Sequence, residues 1–247
     1  MPWVLKALEQ VKREIIMQIN SDFDLRAAVH GAHTQWLESP MKGVFRRPLD
    51  RVGAEIARAT TIVRYEPNSK FSPHVHTGGE EFFVLEGTFQ DEHGDYPAGS
   101  YIRNPPGSSH TPGSEPGCVM LVKLWQFLPE DQIHVRLNTN FMNAIPHRDI
   151  ENVSVIPLFK NAHEEVSIQY WEANSKINIE TANGLEVFVI DGEFSDEDDH
   201  FESQSWLRLP LSGSLTVQTG SSGAKVWVKQ NHLANVADQI TRVNHVS

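Results

Sequence analysis

Apolar and polar positions in this chain keep a helical rhythm only near the start, and a strand rhythm over most of the remaining length. Val4, Leu5, Leu8, Val11, Ile15, Ile16 and Ile19 recur at helical spacing with Lys and Glu on the other face, which predicts a short amphipathic N-terminal helix for packing or a dimer contact. Residues 20–48 read as loop with short extended pieces and a turn at Ser39–Gly43. From Thr60 the text changes. Thr60–Tyr65 is β-branched, Glu81–Leu85 is an apolar strand stopped by Gly87, and Ser100–Arg103 and Cys118–Phe127 are two further strands. The turn at Glu66–Lys70, the polar loop Asp91–Gly99 and Pro105-Pro-Gly107 separate them. Short strands between turn signals predict an antiparallel all-β sandwich or barrel.

The pattern then repeats. Gly78-Gly-Glu-Glu-Phe-Phe-Val-Leu-Glu-Gly87 returns as Asn183-Gly-Leu-Glu-Val-Phe-Val-Ile-Asp-Gly192, 105 positions later. The same offset aligns Asp91-Glu92 with Asp196-Glu197 and Arg103 and Pro105 with Arg208 and Pro210, and Lys123 matches Lys229 one residue further on. A repeat this long implies two copies of one domain. The expected organisation is a helix and extended arm at 1–41, a first β-domain at 42–130, a connection at 131–160, and a second β-domain with a tail at 161–247.

Composition narrows the function classes. The chain has 247 residues and a net charge of −11, from 32 acidic against 21 basic side chains. That dispersed acidic balance argues against a nucleic-acid partner. A mean hydropathy of −0.37 and no long apolar run predict a soluble protein with no membrane partner. No signal peptide is legible, Met17 is a second candidate initiator, and a cytoplasmic location is expected. Cys118 is the single cysteine, which excludes an intrachain disulfide and any cysteine-built zinc cluster and reads as a small core residue.

The chemistry concentrates in His74-Val-His76-Thr-Gly-Gly-Glu80 and in Pro105-Pro-Gly107-Ser-Ser-His110. Residues i and i+2 of a strand share a face, so His74 and His76 can meet one ion. Neutral imidazoles and a carboxylate suit one divalent transition metal, with zinc, Fe(II) and Mn(II) as candidates. The second copy keeps the scaffold and loses this set. Residues 179–182 read Ile-Glu-Thr-Ala, Glu80 becomes Leu185 and His110 becomes Leu215, so the second domain is expected to be metal-free. Glu81 points away from Glu80, survives as Glu186, and reads as an outward-facing structural residue. His93, His134, His147, His163, His200 and His232 read as surface histidines, as do His30 and His33, whose segment could fold over a barrel mouth. Asp196–Asp199 reads as a solvated loop.

His74-x-His76-x3-Glu80-x6-Gly87 and Gly99-x5-Pro105-x-Gly107-x2-His110 resemble the two signature motifs of the cupin superfamily, with Ser114 where the second motif ends in asparagine. The wording around Glu80–Gly87, Asp91–Gly99 and Trp206–Pro210 is similar to the cupin domain of ChrR-type anti-sigma factors and their two-cupin relatives. The resemblance implies two tandem jelly-roll barrels, a bicupin, and a zinc ion held by His74, His76, Glu80 and His110. The anti-sigma factors grip a sigma factor through a cysteine-containing N-terminal zinc domain. Residues 1–50 contain no cysteine, so a sigma-factor partner is not implied.

Three functions fit. One is a metal-dependent enzyme acting on a small molecule in the first barrel, dioxygenase-like or carbonyl-activating, with Glu80 as possible general base. The others are a non-catalytic metal or ligand sensor and a purely structural metal. A homodimer is compatible with exposed sheet edges.

Overall fold

The computed structural model describes residues 18–54 and 56–246. The expected N-terminal helix lies outside the described residues, except that Gln18–Ile19 forms a two-residue strand. The strand rhythm produces two large antiparallel sheets with matching orders. In the first, Val44–Gly53, Ala57–Tyr65, Cys118–Leu124, Glu80–Asp91, Ser100–Asn104 and Val135–Asn138 lie side by side. In the second, Val153–Lys160, Glu165–Trp171, Gly213–Gln230, Leu185–Ser195, Ser205–Leu209 and Ala27–His30 take the corresponding places. Each sheet curls into a barrel, giving the all-β tandem architecture expected of the repeat.

The last strand of each sheet is exchanged. Ala27–His30, which precedes the first barrel in sequence, pairs with Ser205–Leu209 of the second. Val135–Asn138, which precedes the second barrel, pairs with Ser100–Asn104 of the first. Segment 131–160, read as a connection, therefore contributes Val135–Asn138 to the first sheet and Val153–Lys160 to the second. His30 lies in this exchanged strand, its ring 3.3 Å from Ser205 Oγ, and His33 reaches Glu202 at 2.6 Å. The C-terminal tail also crosses back: helix Val236–Val246, absent from the sequence expectations, buries Val236, Gln239 and Val243 and packs on Val44–Gly53 and Ala57–Tyr65. No helix among the described residues is long and apolar enough to cross a membrane.

Side-chain alternation sorts residues between barrel interiors and the face where the barrels meet. Phe82 and Val84 point into the first barrel, Phe83 into the inter-barrel layer. In the second barrel Leu185, Val187 and Val189 point inward, and Phe188 joins the shared layer with Trp206 and Trp227. The strand Glu80–Asp91 runs through Gly87 instead of stopping there, because glycine permits the bend. Gly87 has φ +68° and an added Cβ would lie 2.0 Å from the Gly117 carbonyl oxygen; Gly192 repeats this at φ +77° against Gly223.

Glu81 does face away from the first barrel, but into the inter-barrel layer, not into solvent. It is buried and accepts hydrogen bonds from Lys229 Nζ and the Tyr101 hydroxyl, both at 2.5 Å. Its counterpart Glu186 accepts from Lys123 Nζ at 2.5 Å and Trp206 Nε1 at 3.1 Å. Each lysine thus neutralises the glutamate of the other barrel. Arg103 bridges Glu164 and Asp131, and Arg208 meets Asp50 at 3.1 Å. His232, expected at the surface, is buried beside Glu186 at 2.7 Å. Asp196 and Asp199, read as solvated, are held by Arg26 at 2.9 and 2.7 Å. Cys118 is buried, as expected of a core residue.

The buried lattice can be tested at two points. Lys123→Met strands the Glu186 carboxylate and should lower stability by about 3–5 kcal/mol in chemical denaturation, with Lys123→Met/Glu186→Gln losing less than the sum of the single variants. Burial, outweighing Glu186, lowers the His232 imidazole to about 4. The unfolded chain therefore binds the extra proton first, and folding stability is lost as pH falls from the ordinary histidine range towards 4. His232→Gln should flatten the stability–pH slope in that window, by up to about 3 kcal/mol across it; an unchanged slope would rule out His232 as its source.

Candidate metal centre

The two motif segments meet because each supplies one strand of a small ladder. His74–Val75 pairs antiparallel with Ser109–His110, which sets His74 directly opposite His110. Beyond the ladder the backbone continues the pairing: the His76 amide donates to the Ser108 carbonyl at 2.8 Å, and the Gly107 amide donates to the His76 carbonyl at 2.9 Å. The chain then turns through Gly78 and Gly79 into the strand that begins at Glu80. Gly79 has φ +77° and packs so closely on Phe127 that a Cβ would come within 2.5 Å of the ring.

The three imidazoles stand edge to face, with ring centroids 4.6–5.0 Å apart. One nitrogen from each of His74, His76 and His110 lies within 4.8 Å of the others, close enough to hold a metal ion. Glu80 Oε2 approaches His76 Nε2 at 3.5 Å and His110 Nε2 at 3.7 Å, and accepts a hydrogen bond from Asn104 Nδ2 at 3.2 Å. The convergence is thus a three-histidine cluster with the glutamate against two of its members. His76 and His110 are buried and His74 is exposed.

The donor set fits a divalent ion. His76 Nε2 is buried and has no hydrogen-bond partner among the described residues, an arrangement that is costly unless something else occupies it. Burial, with His110 and His74 alongside, pulls the His76 imidazole below its ordinary range in spite of Glu80, which favours the neutral form a metal needs. His110 Nδ1 lies 3.3 Å from Asp91 Oδ2 and His74 Nδ1 lies 3.4 Å from the Ser72 carbonyl oxygen, leaving Nε2 of each for the centre. Asp91 was legible only as the start of a polar loop. Its aligned partner Asp196 binds Arg26 instead, so no pattern within the sequence marks Asp91 as a histidine anchor.

Next to the cluster lies a cavity of about 300 Å³, walled by His74, His76, Glu80, Tyr65, Phe82, Met120, Val122, Leu124 and Trp125 among others. The second barrel has no such arrangement at the equivalent place. Ile179 pairs with Leu215 where His74 pairs with His110, and Ile179, Thr181, Leu185 and Leu215 are all buried. Among the described residues, sixteen buried apolar side chains cluster in that barrel against eight in the first.

Two curled sheets in matching order, one enclosing convergent histidines beside a cavity, define a two-barrel cupin. The family model of the ChrR cupin-like domain matches residues 24–128, the part of the chain that holds the whole histidine cluster. Solved structures agree on the fold. A candidate dioxygenase from Nostoc punctiforme is 14% identical with a TM-score of 0.65, over 89% of this chain and 84% of that one. Protein Ylba from E. coli gives 14% and 0.65 over 89% and 97%. A variant of Bacillus subtilis oxalate decarboxylase gives 12% and 0.59 over 83% and 77%. Among curated proteins, none matches in sequence.

If Asp91 orients His110, Asp91→Asn should weaken divalent-metal affinity about 10–100-fold without unfolding the chain. Competition with a chromophoric chelator measures this, and unaltered affinity would remove Asp91 from the centre.

Proposed function

We propose that the first barrel is a metal-dependent enzyme site for a small molecule, with one divalent transition metal held by His74, His76, His110 and Glu80. The observation that carries this reading is the convergence of three imidazoles beside a cavity, at a place where the second copy has Ile179, Thr181, Leu185 and Leu215 instead. A filled second barrel shows what the scaffold needs for stability alone, and it does not need histidines.

When bound, zinc would polarise a carbonyl or a water, whereas Fe(II) or Mn(II) would add redox chemistry towards dioxygen. Zinc is favoured by the family resemblance. Manganese has support from the fold, since Mn(II) centres are named for Bacillus subtilis oxalate decarboxylase. The chain's own residues do the rest. Asn104 holds Glu80 Oε2, leaving Oε1 to take a proton from a substrate or water in the cavity. The aromatic and aliphatic walls exclude water and strengthen charge interactions inside. Asp91 keeps His110 in one tautomer.

A sensor role is the second reading. It is favoured by the resemblance of the sequence to the cupin domain of ChrR-type anti-sigma factors, beside the match of residues 24–128 to the ChrR cupin-like domain. A structural metal is less well supported, because a cavity adjoins the cluster and His74 is exposed.

Protein purified without added metal should carry about one equivalent of a divalent ion by elemental analysis, and His74→Ala, His76→Ala and His110→Ala should each lose it. Wild-type protein without stoichiometric metal would refute the centre. Oxygen consumption by Fe(II)-loaded protein with β-dicarbonyl compounds supports an oxygenase; metal-dependent ligand binding with no turnover supports the sensor.

A further inference from the structure

Strand Val44–Gly53 carries a bulge that decides what lines the cavity. Its ladder with Ala57–Tyr65 runs Val44 to Tyr65, Arg46 to Val63 and Pro48 to Thr61, and then slips by one residue so that Asp50 faces Thr60 and Arg51 faces Ala59. In an unbroken strand, positions 46 and 51 would point to opposite faces. The extra residue, Leu49, is buried in the inter-barrel layer, Asp50 turns to Arg58 and Arg208, and Arg51 comes back to the cavity side with Arg46.

The two arginines are not equivalent. Arg51 donates to the Ala54 carbonyl. Arg46 is half-buried in the cavity wall, and its side chain makes no ion pair or hydrogen bond among the described residues. That contrasts with Arg58, Arg103 and Arg208, which are turned inward and each meet a carboxylate. A half-buried guanidinium without a carboxylate partner is open to a ligand in the cavity, and its planar fork matches a carboxylate. Tyr65 shares this wall. Burial, with Glu80 nearby, raises its hydroxyl far above the ordinary range, so the hydroxyl stays protonated and can donate.

We propose that the first barrel binds a small organic acid, its carboxylate held by Arg46 with the Tyr65 hydroxyl and its apolar body against Phe82, Met120, Val122 and Leu124. A volume near 300 Å³ suits a compact acid. This deepens the reading of the cavity as a small-molecule site and rests on it.

Calorimetric titration of the full-length protein as purified, with acetate, benzoate and phenylacetate against the neutral benzamide, provides the test. At least one carboxylate should bind, benzamide should bind at least about tenfold more weakly than benzoate, and Arg46→Gln should abolish that preference while Arg46→Lys keeps part of it. Metal content and thermal unfolding of Arg46→Gln should match wild type. The proposal is overturned if benzamide binds as well as benzoate, if Arg46→Gln keeps the preference, or if no carboxylate binds at millimolar concentration. Protein without metal that still shows an Arg46-dependent preference would refute the metal centre and leave the acid site standing. Normal metal content with no Arg46 effect would do the reverse.

Discussion

Two carboxylates, Glu81 and Glu186, sit without solvent in the layer where the barrels meet, and each is neutralised by a lysine from the opposite barrel. Burial alone would raise both carboxyls; the lysines and neighbouring cations hold them below their usual range. This crossing constrains everything around it. Separated barrels would each expose an apolar face and leave a charge unpaired, so the layer works only with both present. The exchanged strands Ala27–His30 and Val135–Asn138 and the returning C-terminal helix cross the same boundary. Gln239 illustrates the helix contribution, accepting from Arg58 Nε and donating to the Gln126 carbonyl, both at 2.8 Å. The pair of barrels is a single packed unit with an approximate two-fold relation inside one chain.

That arrangement divides labour. Packing of the shared layer depends on outward-facing positions, so the interior of either barrel can change without disturbing the other. The second interior is closed by branched apolar residues in the places of the histidines, while the first keeps a cavity. Filling an interior increases dispersion contacts and buried apolar area. A cavity and a buried imidazole nitrogen without a partner do the opposite. The first barrel can carry these costs because the shared layer and the filled second barrel hold the unit together.

Much of this was legible in the sequence, and the misses have a common cause. The strand rhythm and the 105-residue repeat disclosed two β-domains, and comparison of the copies separated His74, His76, Glu80 and His110 from Phe83 and Gly87. Those inferences use local spacing or internal alignment. What stayed hidden depends on contacts distant along the chain. Four residues at Ala27–His30 carry no sign that their partner is Ser205–Leu209. His232 looked like a surface histidine because its burial depends on Glu186, 46 positions away. Glu81 was assigned the right direction and the wrong surroundings, since alternation says which face a side chain occupies and not what covers that face. The helix Val236–Val246 was missed because its buried positions are few and include Gln239.

Asp91 and Asp196 show the same dependence on distant partners most sharply. They occupy equivalent positions at the end of equivalent strands, and both are nearly buried, yet one holds His110 and the other Arg26. A buried carboxylate at that position must find a partner, and the partner differs because the interior beside it differs. In the second barrel Leu215 stands where His110 would be, so Asp196 turns to the exchanged N-terminal segment that carries Arg26. In the first barrel the same acid is directed inward and fixes one imidazole nitrogen, which leaves the other for the centre. The repeat thus supplied an acidic position suited to either use. Beside His110 the acid orients an imidazole; beside Leu215 its counterpart clamps Arg26, next to the strand that joins the barrels.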